Sequence, residues 1–196
     1  MADGQTPGRG RGALTIIREA VPGDADAIAR VHVTSWRSTY PGLLPDSYLV
    51  AMSESASQQR WRAILASTHL GRRTLVAVEP GEGVVGFGHC GLRRACSQLD
   101  GFDGEFYALY LLDEAQGHGI GRRLMGVMAE RLLDIGLQSA LAWCLAGNPA
   151  RWFYERLGGQ KVAERPIRFG GSEQTEVAFV WRDLMPLLLD ADPKVG

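Results

Sequence analysis

The stretch "EAQGHGIGRRLMGVMAERLLDIG", Glu114 to Gly136, sets three glycines within five positions, ahead of two arginines and an apolar-periodic run. Glycine disfavours helix, yet the next run reads as an amphipathic helix. Such a loop at a helix start offers backbone N–H groups to an anion, where the macrodipole adds roughly half a positive charge. Glycine also has no Cβ to hold a phosphate off the backbone. Two phosphate-binding patterns fail here on position. A P-loop needs Gly-Lys-Ser/Thr, whereas this loop ends Gly121-Arg122-Arg123. The dinucleotide pattern G-x-G-x-x-G meets Arg122 at its last position counted from Gly117, and Leu124 counted from Gly119. A nucleoside triphosphate and NAD lose support accordingly. An anion cradle and a plain chain-reversing turn both fit these residues taken alone.

Few other residues carry chemistry by their spacing. Cys90, Cys96 and Cys144 form an odd, scattered set without a C-x-x-C pair. That argues against a disulfide framework or a zinc site, and for a reducing, cytoplasmic compartment. His32, His69, His89 and His118 include no helical pair with metal-ligand spacing, so no metal is expected. The 196 residues are 45% hydrophobic and 22% charged, with formal net charge −1. This suits one soluble domain with a real core, and excludes nucleic-acid binding by bulk electrostatics. No apolar run reaches the roughly 18 residues of a membrane span. Residues 1–13 read as a flexible tail without the apolar core of a signal peptide, 14–190 as a single domain, and 191–196 as a second tail.

The elements that must position the loop follow from periodicity. Residues 13–20 are rich in β-branched side chains and predict a strand. Residues 21–36 predict a helix opened by Pro22 and acidic residues. A short helix is expected within 40–53 and another from Ser53 to 68. The period then becomes two, with a hairpin over 73–79 and 84–94 and a strand over 105–113 that enters the glycine loop. A strand at 139–146, a short helix at 149–157 stopped by Gly158 and Gly159, and two closing strands complete the chain. The order predicts an α+β, mixed-sheet fold with one parallel crossover around 105–146.

At Gln116, Gly119 and Gly121 the loop also fills Q-x-x-G-x-G, and there the chain resembles the GNAT N-acetyltransferase superfamily. "ALYLLDEAQGHGIGRRLM" is similar to that family's strand, turn, glycine loop and helix. "LAGNPARWFYERLGG", 145–159, resembles its second motif, an Asn before a Phe-Tyr-Glu helix. The resemblance spans roughly residues 14–185. Two departures stand out: Asp113 replaces a common proline, and Asn148 lies one residue closer to Tyr154 than in many relatives. The fold it implies is a mostly antiparallel twisted sheet of about six or seven strands with one splayed parallel pair, flanked by about four or five helices.

The resemblance further implies acetyl-CoA as cosubstrate. Its diphosphate would rest on Gln116, Gly117, His118, Gly119, Ile120, Gly121 and Arg122, with His118 and Ile120 giving backbone only. The pantetheine arm would pair with the backbone of Leu109, Tyr110 and Leu111 like an added strand, and Asn148 would contact the coenzyme. Tyr154 would protonate the departing thiolate. Glu105 is the candidate base; by strand alternation Glu105, Tyr107, Leu109 and Leu111 share a face. Trp36, Tyr40 and Tyr107 are candidates for the acceptor pocket, though aromatics of this size also serve as packing. The expected reaction is direct transfer to a primary amine of a small molecule or peptide. A silent acyl-CoA-binding module and an O-acyltransferase are the alternatives. Relatives often dimerise, so a homodimer fits, and the apolar run "LMPLLL", 184–189, is available to cover a partner or the chain's own sheet.

Overall fold

The computed structural model describes residues 15–67, 71–95 and 99–189. The first strand, β1, is Ile16–Glu19, followed by helices α1 (Ala25–Thr39), α2 (Asp46–Ala51) and α3 (Glu54–Ala66). The hairpin β2 (Arg72–Glu79) and β3 (Gly83–Leu92) leads to β4 (Gly104–Leu111), α4 (Ile120–Asp134) and β5 (Ala140–Leu145). Helix α5 (Ala150–Arg156), strands β6 (Gln160–Phe169) and β7 (Ser172–Trp181), and helix α6 (Met185–Leu189) close the fold. His69 and Cys96 lie outside the described residues, as do both proposed tails.

Local chemistry fixes the chain's entry to α1 and the start of α3. The Asp24 carboxylate accepts from Val21 N at 2.8 Å and from both terminal nitrogens of Arg18 at 2.7 and 2.9 Å. The Arg18 hydrogen bond holds the Asp24 carboxyl below its ordinary range. Ser53 Oγ caps α3 by accepting from Ala56 N at 3.3 Å.

The seven strands form one open sheet in the order β1-β2-β3-β4-β5-β7-β6, antiparallel throughout except at β4–β5. Helices α1 and α3 cover one face through Ile28, Val31 and Trp61 against Val76 and Phe87. Helix α4 covers the other through Leu124, Met125 and Met128 against Leu75, Phe106 and Phe179. The alternation Leu75/Val76 thus buries both residues, one on each face. Leu184 and Leu187 are buried in the α4-side core, so the C-terminal apolar run covers this chain's own sheet. That run forms a sixth helix beyond the four or five expected. No helix among the described residues is long and apolar enough to cross a membrane.

Two irregularities set β4 apart from its neighbours. The strand pairs with β5 only at Gly104↔Ala140 and Glu105↔Leu141, after which the two diverge. Register with β3 runs Gly88↔Leu109 and His89↔Ala108, then Cys90↔Phe106, skipping Tyr107. Tyr107 is therefore a β-bulge, and the alternation of faces inverts across it. Leu109 and Leu111 pack into the same α4-side core as Phe106, while the Tyr107 ring lies 5.0 Å from His89. Glu105, Tyr107, Leu109 and Leu111 do not share a face.

Candidate active site

A cavity of about 840 Å³ opens where β4 and β5 part. Three groups of residues expected at the site line it: Leu109, Tyr110 and Leu111 of β4; Gln116, Gly117, Gly119, Gly121 and Arg122 of the loop and α4; Asn148 and Tyr154 around α5.

The loop's geometry explains its glycines. Gly117 and Gly119 hold φ of 77° and 78°, the left-handed region that strains a residue with a Cβ. Gly119 caps α4, and the first amide to close the helix is Arg123 N on Gly119 O at 3.1 Å. The N–H groups of Gly117, His118, Gly119, Ile120 and Gly121 meet no acceptor among the described residues. Such a row of orphan donors at the positive end of a 15-residue helix fits a diphosphate. Ile120 is fully buried beneath the loop and His118 is exposed outside the cavity lining, which leaves both to act through backbone only.

The strand side is equally open. Leu112 N donates to Val85 O of β3 at 2.9 Å, so alternation turns the backbone groups of Leu109 and Leu111 toward the gap. Leu111 O already accepts from Ser35 Oγ at 3.0 Å and from Gln116 Nε2 at 3.4 Å. The Gln116 side chain also donates to Asp113 Oδ1 at 3.1 Å, and Ser38 Oγ donates to the same oxygen at 3.0 Å. Asp113 thereby ties the loop to α1.

Tyr154 enters from α5, its ring 5.7 Å from both Phe179 and Trp181. Burial, then the neighbouring Cys144 and Tyr110, push its phenol above the ordinary tyrosine range, so it stays protonated. Its hydroxyl makes no hydrogen bond to any described residue. Asn148 Nδ2 donates to Tyr40 Oη at 3.0 Å while its Oδ1 accepts from Ala150 N at 2.9 Å, starting α5. Tyr40 and Tyr110 are likewise pushed up by burial. Burial raises Cys144 to about 12, leaving a thiol with little thiolate character.

Glu105 is placed elsewhere. It is fully buried at the closed end of the splay, where Arg94 N donates to Oε2 at 2.9 Å and Arg94 Nε to Oε1 at 3.0 Å. Leu109 lies four steps further along the strand, about 13 Å away. The structure therefore does not bring Glu105 to the cavity as a base. Tyr107 leaves it too: its hydroxyl donates to Leu92 O, and its ring is flanked by Arg72 and Arg94. The bulge turns Tyr107 away, while Glu105 is kept out by its place at the closed end. Trp36 and Tyr40 pack together at 4.8 Å with Tyr48, Tyr110 and Phe169 around them. Among the described residues no three metal-binding side chains converge.

A family model described as "FR47-like protein" matches residues 84–167, the span from β3 through most of β6. YuaI of Bacillus subtilis (strain 168), an uncharacterised N-acetyltransferase, is 37% identical over 174 residues, covering 89% of this chain and 96% of YuaI. The chain belongs to the GNAT N-acetyltransferase superfamily. Two solved structures share the GNAT fold. YncA of Salmonella typhimurium, solved with its cofactor acetyl-CoA, superposes with TM-score 0.63 at 19% identity, covering 93% of this chain and 97% of YncA. The PaiA N-acetyltransferase of Thermoplasma acidophilum, in complex with coenzyme A, gives TM-score 0.60 at 18% identity, covering 83% of this chain and 97% of PaiA.

Several lining residues of this GNAT domain escaped the sequence reading. Ser35, Ser38 and Thr39 at the end of α1 line the cavity, as do Phe153 and Arg156 of α5. The signal for the serines was present: Ser35, Ser38 and Thr39 fall at helical spacing on one face of α1. Nothing in the residues said that this face meets β4.

Proposed function

We propose that this GNAT domain transfers an acetyl group from acetyl-CoA to a primary amine, by direct attack within a ternary complex. The observation that carries the reading is the convergence of three features on one cavity. These are the orphan amides of the glycine loop, the unpaired edge of β4, and the Tyr154 phenol. The loop amides hold the diphosphate. Leu109 and the Leu111 N–H bond the pantetheine amides, Leu111 O being taken up by Ser35. The thioester supplies an activated acyl carbon. Tyr154 gives its proton to the departing thiolate as the N–C bond forms and the C–S bond breaks. The amine sheds its own proton to solvent, since Glu105 is withdrawn from the cavity. Cys144, held as a thiol by burial, argues against an acyl-enzyme.

The test is release of CoA thiol from acetyl-CoA across a panel of small amines, alcohols and amino-terminal peptides. Turnover with amines and intersecting double-reciprocal lines are expected. Parallel lines would overturn direct transfer. Tight acetyl-CoA binding with no turnover on any acceptor would replace an enzyme by a binding module.

A further inference from the structure

The sheet face turned toward α1 carries an ion pair that the proposed acetyl transfer leaves unused. Glu176 of β7 stands opposite Leu145 of β5 on one side and Arg165 of β6 on the other. Arg165 Nε and Nη2 both donate to Oε2 of Glu176, at 3.0 and 2.9 Å. The second oxygen, Oε1, accepts from no described residue, although the Glu176 side chain is only 13% exposed. Oε1 therefore keeps contact with open space, where an incoming donor can reach it.

Its surroundings indicate what would fill the second. Leu145, its partner across the ladder, packs into a cluster with Trp36, Tyr40, Tyr48 and Phe169. The Trp36 ring lies 4.8 Å from Tyr40 and 5.9 Å from Phe169. The Glu176 charge reaches the Tyr110 phenol and the Cys144 thiol, one on each strand of the splay. The other carboxylates near the gap are committed: Asp113 to Ser38 and Gln116, Glu105 to Arg94. An ammonium group has three donors and no acceptor, and aromatic faces attract it further. A neutral alcohol gains neither advantage.

We propose that Glu176 Oε1 receives the ammonium of the acceptor, and that the domain selects a primary amine carried on a small apolar or aromatic body. Arg165, stacked 4.0 Å over Trp143, occupies Oε2 and leaves Oε1 to the acceptor. The inference rests on the acetyltransferase reading and names the substrate class of that site.

The test is calorimetric binding of 2-phenylethylamine and of its neutral counterpart 2-phenylethanol to the full chain in the presence of CoA. The native chain is expected to bind the ammonium at least tenfold more tightly, and Glu176→Gln to lose that preference. Arg165→Met keeps Glu176 and removes a competing cation, so the preference should rise; its fall would overturn the proposal, even where Glu176→Gln fails to fold. Ammonium binding no tighter than the alcohol's, or a preference that survives in Glu176→Gln, overturns it as well. Acetyl transfer is read separately. Preference without turnover removes the proposed function and leaves Glu176 as an ammonium site; turnover without preference does the reverse.

Discussion

Tyr154 sits between two environments: a ring packed against Phe179 and Trp181, and a hydroxyl at a cavity wall. Tyr154→Phe keeps the packing and removes only the proton, so turnover should fall by about 10²-fold or more while coenzyme affinity, measured by titration, stays the same. Unchanged turnover would take Tyr154 out of the chemistry. Glu105 predicts the opposite pattern. Glu105→Gln strips the charge from Arg94's partner at a fully buried position and should cost about 2–3 kcal/mol in denaturant unfolding. The pH–rate profile of the folded variant should match that of the parent; loss of the limb on the acid side would restore Glu105 as a base. The two residues also mark how far the sequence could be read. Tyr154 was reached through a motif that keeps its helix and its stopping glycines. Glu105 was placed by counting along a strand, and the count passes through a bulge at Tyr107 that no residue type announces.

At the scale of elements, glycines carry the sharpest expectations. Gly119→Ala puts a Cβ on a backbone at φ 78° without a neighbouring clash, so the effect is conformational. It should cost about 1 kcal/mol and raise the KM for acetyl-CoA several-fold, the loop amides being re-aimed. Gly159→Ala acts through space instead. An added Cβ would lie 2.7 Å from Trp181 Cζ2 and 2.9 Å from Tyr154 O. A drop in stability of about 1–3 kcal/mol is expected, visible as a lower Tm, together with reduced turnover as α5 shifts. An unchanged Tm would mean that β7 yields freely. The strand, loop and helix around Gly119 were legible because that geometry is local. The tight approach of Gly159 to Trp181 depends on a residue on β7, and in the sequence the pair Gly158-Gly159 reads only as a helix stop.

For the whole molecule, acid is the informative variable. Burial lowers His32 and His89 to about 4, so both remain neutral in the folded chain while the unfolded chain titrates near its ordinary value. Between pH about 6.5 and 4 the unfolded state therefore binds two more protons. Stability should fall as the pH drops through that window, by up to ~1.4 kcal/mol per proton per pH unit. Urea midpoints at pH 7 and pH 5 check this, and equal midpoints would refute it. The strands, the hairpins and the single parallel crossover were readable from apolar runs and turns. Where β4 leaves β5 was not, since divergence after Glu105 is decided by what packs beneath each strand. That divergence leaves the one sheet in two halves, β1–β4 and β5–β7, joined by two residue pairs. In solvent-exchange terms, the amides of Leu109 and Leu111 lie mid-sheet in position yet should trade deuterium like an edge strand. Adding coenzyme A should slow them selectively, because a pantetheine arm lying along β4 would turn that inner edge into an interior ladder.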